Sequence, residues 1–286
     1  MNNSLLKVCD QKWRDNEVPL VSIFSWTYNH RDYIKSSIDS ILDQKTNFKI
    51  EIIIHDDASN DGTTEIIKEY EYKYPKIFNN ILQKENQWSQ GKSVMNQLFQ
   101  KSQGRYIALM HGDDYWIDPL KLQRQVDFME SNHEYNLVFT NFSILNQNSE
   151  KFSIKTHLDR FNSDKTFKCK DITYNNLIPT LTVLLRNNNL SYPKKYETIY
   201  PGDWPLWVYL SLNGKIRYLN FKSSVYRLHD NGVCSSSRKT ENIKRYLYAI
   251  KIMSGWVKKN RILKFYFCVS KLKFYMAFLY FKLKNE

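Results

Sequence analysis

The chain predicts an α/β fold: a Rossmann-like, mainly parallel sheet flanked by helices, with a helical appendage at its C-terminal end. Three observations predict it. Short β-branched runs alternate with longer stretches of helical period, the signature of βαβ units. Three of the runs end in polar, chemically capable turns. Beyond residue 237 lysines and aromatics interleave at helical spacing.

In chain order, residues 1–18 form a polar lead-in. Leu20–Ser25 is a buried strand ending in Trp26, Thr27, Tyr28 and Asn29, and Asp32–Leu42 carries Ile34, Ile38, Ile41 and Leu42 at helical spacing. Lys49–Ile54 is a second strand, ending in His55, Asp56 and Asp57. Asp61–Tyr74 is helical, with Ser59, Asn60 or Asp61 as N-cap. Ile77–Leu82 and Lys92–Ser102 supply a third strand and helix. Arg105–Pro119, RYIALMHGDDYWIDP, holds a fourth strand, Tyr106–Met110, and then His111, Gly112, Asp113 and Asp114. Leu120–Asn132 is an amphipathic helix and Leu137–Phe142 a fifth strand. Right-handed crossovers bring the turns Thr27–Asn29, Asp56–Asp57 and Asp113–Asp114 to one edge of the sheet, where ligands of open α/β sheets bind.

Adjacent carboxylates at a buried strand end repel unless a cation or ligand offsets them. Asp113 and Asp114 therefore suggest a hard divalent cation, Mg²⁺ or Mn²⁺, bridging to phosphate. Capping by Asp114, or by Asp118 before Pro119, is the alternative use of such a turn. Neither GxGxxG nor GxxxxGK[ST] occurs, which disfavours dehydrogenases and P-loop phosphotransferases.

The later chain is looser. Asn146–Lys165 is polar and suggests a hairpin or mobile loop, and Pro179–Arg186 reads as a strand returning to the core. YPGDWPLW (Tyr200–Trp207) leads into an amphipathic helix, with Asp203 placed to cap it. VYRLHD (Val225–Asp230) ends a strand in Arg227 and His229, with Gly232 following. The segment 238–286 reads as basic and helical. It suits an anionic membrane surface, packing on the α/β domain, or self-association into a homo-oligomer.

With 286 residues, the chain holds one large domain with an appendage or two small ones. The net charge of +13 biases it towards polyanions, nucleic acid included. The four cysteines (Cys9, Cys169, Cys234, Cys268) match no zinc or disulfide pattern. An N-terminus without a signal-peptide run makes the cytoplasm the expected compartment.

VSIFSWTYNHRDYI, IIIHDDASNDGTTEII and GRYIALMHGDDYWIDPLKLQRQVDF together resemble family 2 glycosyltransferases with the GT-A fold, especially bacterial enzymes building surface polysaccharides. The resemblance implies a GT-A domain over 1–237, with a nucleotide-binding half at about 19–143 and an acceptor half at about 144–237. A basic amphipathic tail, 238–286, follows. It implies that Thr27, Tyr28 and Asn29 border the nucleotide base and that Asp57 bonds a uracil ring. Asp113 and Asp114 would bind ribose and the cation, with Arg227 and His229 at the diphosphate or metal. Asp203 would be the catalytic base. His111 departs from the pattern, standing where an acidic residue often opens the motif. His30, His55, His133 and His157 receive no role.

The implied activity is inverting transfer from a nucleotide-diphosphate sugar, a UDP-sugar, to a glycan or lipid-linked acceptor. The expected location is the cytoplasm, at the inner face of the membrane. A degenerate nucleotide- or sugar-binding protein is the alternative. A sugar nucleotidyltransferase lacks its Gly-rich signature here, and a nucleic-acid partner is not expected because the strand-end carboxylates repel phosphates.

Overall fold

A computed structural model describes residues 5–14, 16–92, 94–147, 149, 151–153, 155–187, 199, 202–230, 239–257 and 259–283. The chain opens with β1 (Leu6–Lys7), β2 (Val21–Thr27), α1 (Arg31–Leu42), β3 (Lys45–Thr46), β4 (Ile50–Asp56) and α2 (Thr63–Lys73). There follow β5 (Ile81–Leu82), α3 (Met95–Lys101), β6 (Tyr106–His111), β7 (Tyr115–Trp116), α4 (Lys121–Ser131) and β8 (Tyr135–Asn146). Next come β9 (Lys151–Ser153), β10 (Lys165–Phe167), α5 (Cys169–Tyr174), β11 (Leu184–Arg186) and α6 (Asp203–Leu212). The last elements are β12 (Lys215–Leu228), α7 (Lys239–Trp256) and α8 (Arg261–Leu283).

One sheet runs β10-β12-β8-β11-β6-β2-β4-β5, and β7 and β9 pair onto β12 and β8. β2 is parallel to both β4 and β6, and β8 is parallel to β12. β11 lies antiparallel between β6 and β8, joining the two parallel groups into one sheet.

Strand alternation sorts the core onto two faces. Ile23, Ile52, Ile54, Ala108 and Met110 pack with Ile34 and Ile38 of α1, Ile67 of α2 and Leu122 of α4. Phe24, Ile53, Ile107 and Leu109 face the other way, onto Leu98 of α3, Trp204 and Trp207 of α6, and the C-terminal helices.

The structure corrects several expectations. The lead-in is docked rather than loose: β1 pairs with β3, Val8 is buried, and the Gln11 amide donates to the Thr46 carbonyl at 2.8 Å. Pro179–Arg186 is a strand only over its last three residues. Thr180–Thr182 forms a 3-10 turn, which the Thr182 hydroxyl holds by donating to the Pro179 carbonyl at 2.7 Å. The helix after YPGDWPLW is not amphipathic. Trp204, Leu206, Trp207, Val208 and Leu210 are all buried, because α6 is enclosed between the sheet and the C-terminal helices. The polar stretch after β8 does form a hairpin, with Leu145 paired to Phe152. Tyr200 and Pro201 of the YPGDWPLW run, with Gly232 and Cys234, lie outside the described residues.

Candidate active site

The site forms where β2, β4 and β6 end side by side, with Trp26 in register with both His55 and His111. The approach of β6 to β2 requires a glycine. A Cβ on Gly112 would stand 2.7 Å from the Thr27 hydroxyl oxygen and 2.8 Å from its Cβ. Two non-glycine residues adopt left-handed backbone beside these strand ends: Asn29 (φ 54°) and Ala58 (φ 63°). Strained backbone of this kind concentrates at functional sites.

The turns after β2 and β4 lock together. The Asn29 N–H donates to the Ser59 hydroxyl at 2.9 Å, and the Asn60 N–H donates to the Asn29 side-chain oxygen at 2.9 Å. Thr27 is buried while Tyr28 is exposed. The two aspartates after β4 divide the work. Asp56 accepts from the hydroxyls of Ser59 and Thr64, so it organises the turn. The Asp57 carboxylate instead accepts the backbone N–H groups of Gln87 (2.7 Å) and Trp88 (3.0 Å), which holds that loop over the strand ends.

β12 carries the second half of the site. Its pairing with β7 sets Val225 against Tyr115 and so draws VYRLHD onto the DDYW turn. The Arg227 N–H donates to Asp114 Oδ1 at 3.0 Å, and its guanidinium donates to the Asp113 carbonyl and the Ser36 hydroxyl, both at 2.8 Å. The same guanidinium lies 4.4 Å from the Tyr115 ring centroid. His229 Nε2 is 3.1 Å from Asp113 Oδ2, and His30 Nε2 is 3.8 Å from the same oxygen.

The two carboxylates of the turn behave differently. Burial pushes Asp113 up, but the His229 hydrogen bond and the nearby His30 and His111 outweigh it and hold the group at about 2. Asp114 is fully buried, and burial together with the neighbouring Asp113 raises it well above the carboxylate range. Its Oδ2 has no hydrogen-bond partner, with His111 Nδ1 3.9 Å away. A buried carboxylate oxygen without a partner is what a divalent cation satisfies. His30, Asp113 and His229, and likewise His111, Asp113 and Asp114, each bring ligand atoms within 4.8 Å of one another. The residues present thus fit a cation of the Mn²⁺ or Mg²⁺ class with mixed oxygen and imidazole ligands. Asp114 caps nothing. Asp118 instead accepts the Leu120 N–H at 2.8 Å in the turn ahead of α4, whose N-cap position is Leu120.

Asp203 stands apart as the first residue of α6, with Gly202 in the N-cap position. One carboxylate oxygen accepts the Trp204 N–H at 2.7 Å. The other accepts the Asn176 amide at 3.1 Å and faces the Thr180 hydroxyl at 3.5 Å. Burial raises its pKa despite these donors and the charge of His111, so the helix N-terminus does not set its ionisation. The 3-10 turn that carries Thr180 also joins the two sides. The Leu181 carbonyl accepts the Trp116 indole N–H at 2.9 Å, next to the acidic turn.

Every residue singled out from the sequence is therefore near a strand end or beside the acidic turn, except Asp203, which reaches the site from α6. His30, Asn176 and Thr180 were missed. His30 precedes α1 and no short motif marks it; Asn176 and Thr180 act only through the folding of 175–182 against α6.

The family model for Glycosyl transferase family 2 matches residues 22–189. The uncharacterized protein Rv1520 of Mycobacterium tuberculosis is 33% identical over 219 residues, 76% of this chain and 61% of its own length. The chain thus spans about three-fifths of that relative. The Escherichia coli protein named UDP-Glc:alpha-D-GlcNAc-diphosphoundecaprenol beta-1,3-glucosyltransferase WfaP is 30% identical over 88% of this chain and 94% of its own. Among solved structures, S. aureus TarS 1–349 in complex with UDP-GlcNAc superposes with a TM-score of 0.69 at 17% identity, covering 90% of this chain and 73% of that one. The mannosyltransferase PcManGT of Pyrobaculum calidifontis, in complex with GDP-Man and Mn²⁺, gives 0.61 at 13% identity over 92% and 72%. The structures establish the likeness of fold, GT-A; on the sequence matches, the chain belongs to glycosyl transferase family 2.

Proposed function

We propose that the chain is an inverting glycosyltransferase. It takes a sugar from a nucleotide-diphosphate sugar, a UDP-sugar, and places it on a hydroxyl of a glycan or lipid-linked acceptor in surface polysaccharide synthesis. The observation that carries the reading is the pairing of two different acid sites. The cluster of Asp113, Asp114, histidines and Arg227 suits a diphosphate and its counter-ion, and the separate Asp203 suits a proton acceptor. The names of WfaP and of the TarS complex, which print UDP-sugars, and the diphosphoundecaprenol acceptor printed for WfaP support the donor and acceptor classes.

Asp113 with His30 and His229, or Asp113 with Asp114 and His111, would hold a divalent cation, Mn²⁺ or Mg²⁺. Such an ion stabilises negative charge on a diphosphate leaving group. Asp57 and the Thr27–Asn29 turn border the nucleoside, and Arg227 keeps the acidic turn in place while adding positive charge beside the phosphates. Asp203 accepts the proton of the acceptor hydroxyl as its oxygen bonds the anomeric carbon. The bond from that carbon to the diphosphate oxygen breaks on the opposite face, and the nucleoside diphosphate leaves with the electron pair. A raised pKa suits this base, since greater proton affinity aids the transfer.

The test is UDP release and sugar transfer across a panel of UDP-sugars with a diphosphate-lipid acceptor, with Mn²⁺ and with EDTA, for the wild type and Asp203→Ala. Metal-dependent transfer that collapses in the variant is expected. Failure of every UDP-sugar to bind, with or without metal, would overturn the reading.

A further inference from the structure

α8 has two faces of opposite use. Leu263, Phe267 and Ser270 are buried, and Phe274 packs on Trp204 (5.9 Å between ring centroids) and stacks on Tyr246 (5.1 Å). The other side carries Ile262, Phe265, Val269, Leu272, Met276, Leu279 and Leu283, which recur at alternating steps of three and four residues. Five of these are exposed, from 58% at Met276 to 85% at Leu283, and Val269 and Leu279 are partly exposed. The stripe runs the whole helix, about 35 Å at the usual rise per residue. A soluble surface rarely leaves so long an apolar line uncovered.

The charges beside it select the occupant. Arg261, Lys264, Lys271, Lys273 and Lys282 lie in this helix, and it contains no acidic residue. A second copy seated along the stripe would bring two cationic flanks together with no carboxylate in either helix to offset them. An anionic bilayer supplies both the apolar depth and the opposite charge, and Tyr275 and Tyr280, exposed on the same helix, suit its headgroup level. No helix among the described residues is long and apolar enough to cross a membrane, so the geometry is that of a helix lying in the interface.

We propose that α8 is a membrane-docking element that lays its exposed stripe into the surface of an anionic lipid bilayer. Its buried face then fixes how the rest of the molecule is presented. The Lys273 ammonium donates to the Asn175 side-chain oxygen at 3.2 Å, and the next residue, Asn176, holds the Asp203 carboxylate. Trp204, against which Phe274 packs, directly follows Asp203 in the chain. The helix that meets the lipid is thereby braced against the elements that position Asp203, on the side of the molecule where an acceptor hydroxyl would be deprotonated. Membrane binding itself stands independently of the transferase reading.

The experiment is flotation of the full chain with vesicles of phosphatidylcholine alone and of phosphatidylcholine with phosphatidylglycerol, in low and high salt, beside analytical ultracentrifugation. The wild type is expected to float with the phosphatidylglycerol vesicles, less so in high salt. The triple variant Phe265→Ser/Leu272→Ser/Met276→Ser is expected to lose about tenfold or more of that partitioning, as removal of the inserted apolar surface requires. Tyr72→Ser, which alters an exposed aromatic on α2, should float like the wild type. If the triple variant does not fold, Lys264→Glu/Lys271→Glu tests the same surface through its charge and should weaken floating in the same direction. Wild-type chain that ignores phosphatidylglycerol vesicles would overturn the proposal. So would a variant that floats unchanged, or a wild-type dimer in lipid-free buffer that the triple variant dissolves, which would make the stripe a self-association seam.

Discussion

The acidic turn after β6 and the aspartate at the head of α6 use the same side chain in opposite surroundings. Asp113 sits among His229, His30 and His111, with Arg227 bridging the turn's backbone, and is held at about 2. Asp203 takes its hydrogen bonds from neutral donors, the Asn176 amide, the Thr180 hydroxyl and a backbone N–H, and burial raises it despite the charge of His111. A hydrogen-bonding histidine with further imidazoles nearby holds a carboxylate ionised, which suits electrostatic binding. Neutral neighbours and burial leave a carboxylate that can take a proton, which suits general base chemistry.

Substitution should separate the two regions most sharply in kinetics. Asp203→Asn preserves shape and can still accept the Trp204 N–H, but cannot take a proton. Turnover should fall by about 10²–10⁴-fold, the usual contribution of a general base, with donor affinity by calorimetry close to wild type. Asp114→Asn should do the reverse. It removes the ionisable oxygen that a bound cation would pair with, so Mn²⁺-dependent donor affinity should fall by about tenfold or more, with metal titration as the readout. Equal loss of donor affinity in both variants would erase the distinction.

A finer cut tests the neutral donors around Asp203. The Asn176 amide stabilises the ionised carboxylate, so Asn176→Ala should raise the Asp203 pKa further. The acidic limb of the rate profile should then move up by about one pH unit, as loss of one hydrogen bond to a charged group implies. Activity at high pH should recover towards the wild type. A uniform loss at every pH would mean that Asn176 only supports the fold.

Much of the strand-end acidic cluster was legible because it is local. Strand, turn and carboxylate are contiguous in HDDASNDGT and HGDDYW, so period and turn chemistry place Asp57, Asp113 and Asp114 before any packing is known. Arg227 and His229 were legible as a strand end, but their attachment to the acidic turn depends on β7 pairing with β12, which no local pattern encodes. His30 is a lone histidine before a helix and gains meaning only when Gly112 lets β6 close on β2. The α6 side was least legible. A run as apolar as DWPLWVYLSL reads as one-sided only if solvent is assumed on the other side. Here α7 and α8 occupy that space, and Phe274, far along the chain, completes the cover. The 3-10 turn at Thr180–Thr182 was hidden for a related reason: a β-branched apolar run looks like strand until a Pro and a hydroxyl back-bond bend it.

The most direct check on the contrast is the sign of each aspartate's contribution to stability. Asp113 is depressed from 3.8 to about 2, so its ionised form stabilises the fold above its ordinary value. That contribution is lost as pH falls through about 2. In EDTA at neutral pH, Asp113→Asn should therefore cost about 2 kcal/mol by denaturant unfolding, the free energy that such a depression represents. Asp203 has the opposite sign. Its folded pKa lies above 3.8, so the folded state binds the extra proton and stability declines as pH rises from 3.8 through the raised value. Above the raised value the ionised form carries that penalty, and there Asp203→Asn should leave the unfolding midpoint equal to the wild type or above it. A midpoint lowered equally by both substitutions would show that the two carboxylates share one electrostatic environment, and the division between a binding acid and a proton-accepting acid would fail with it.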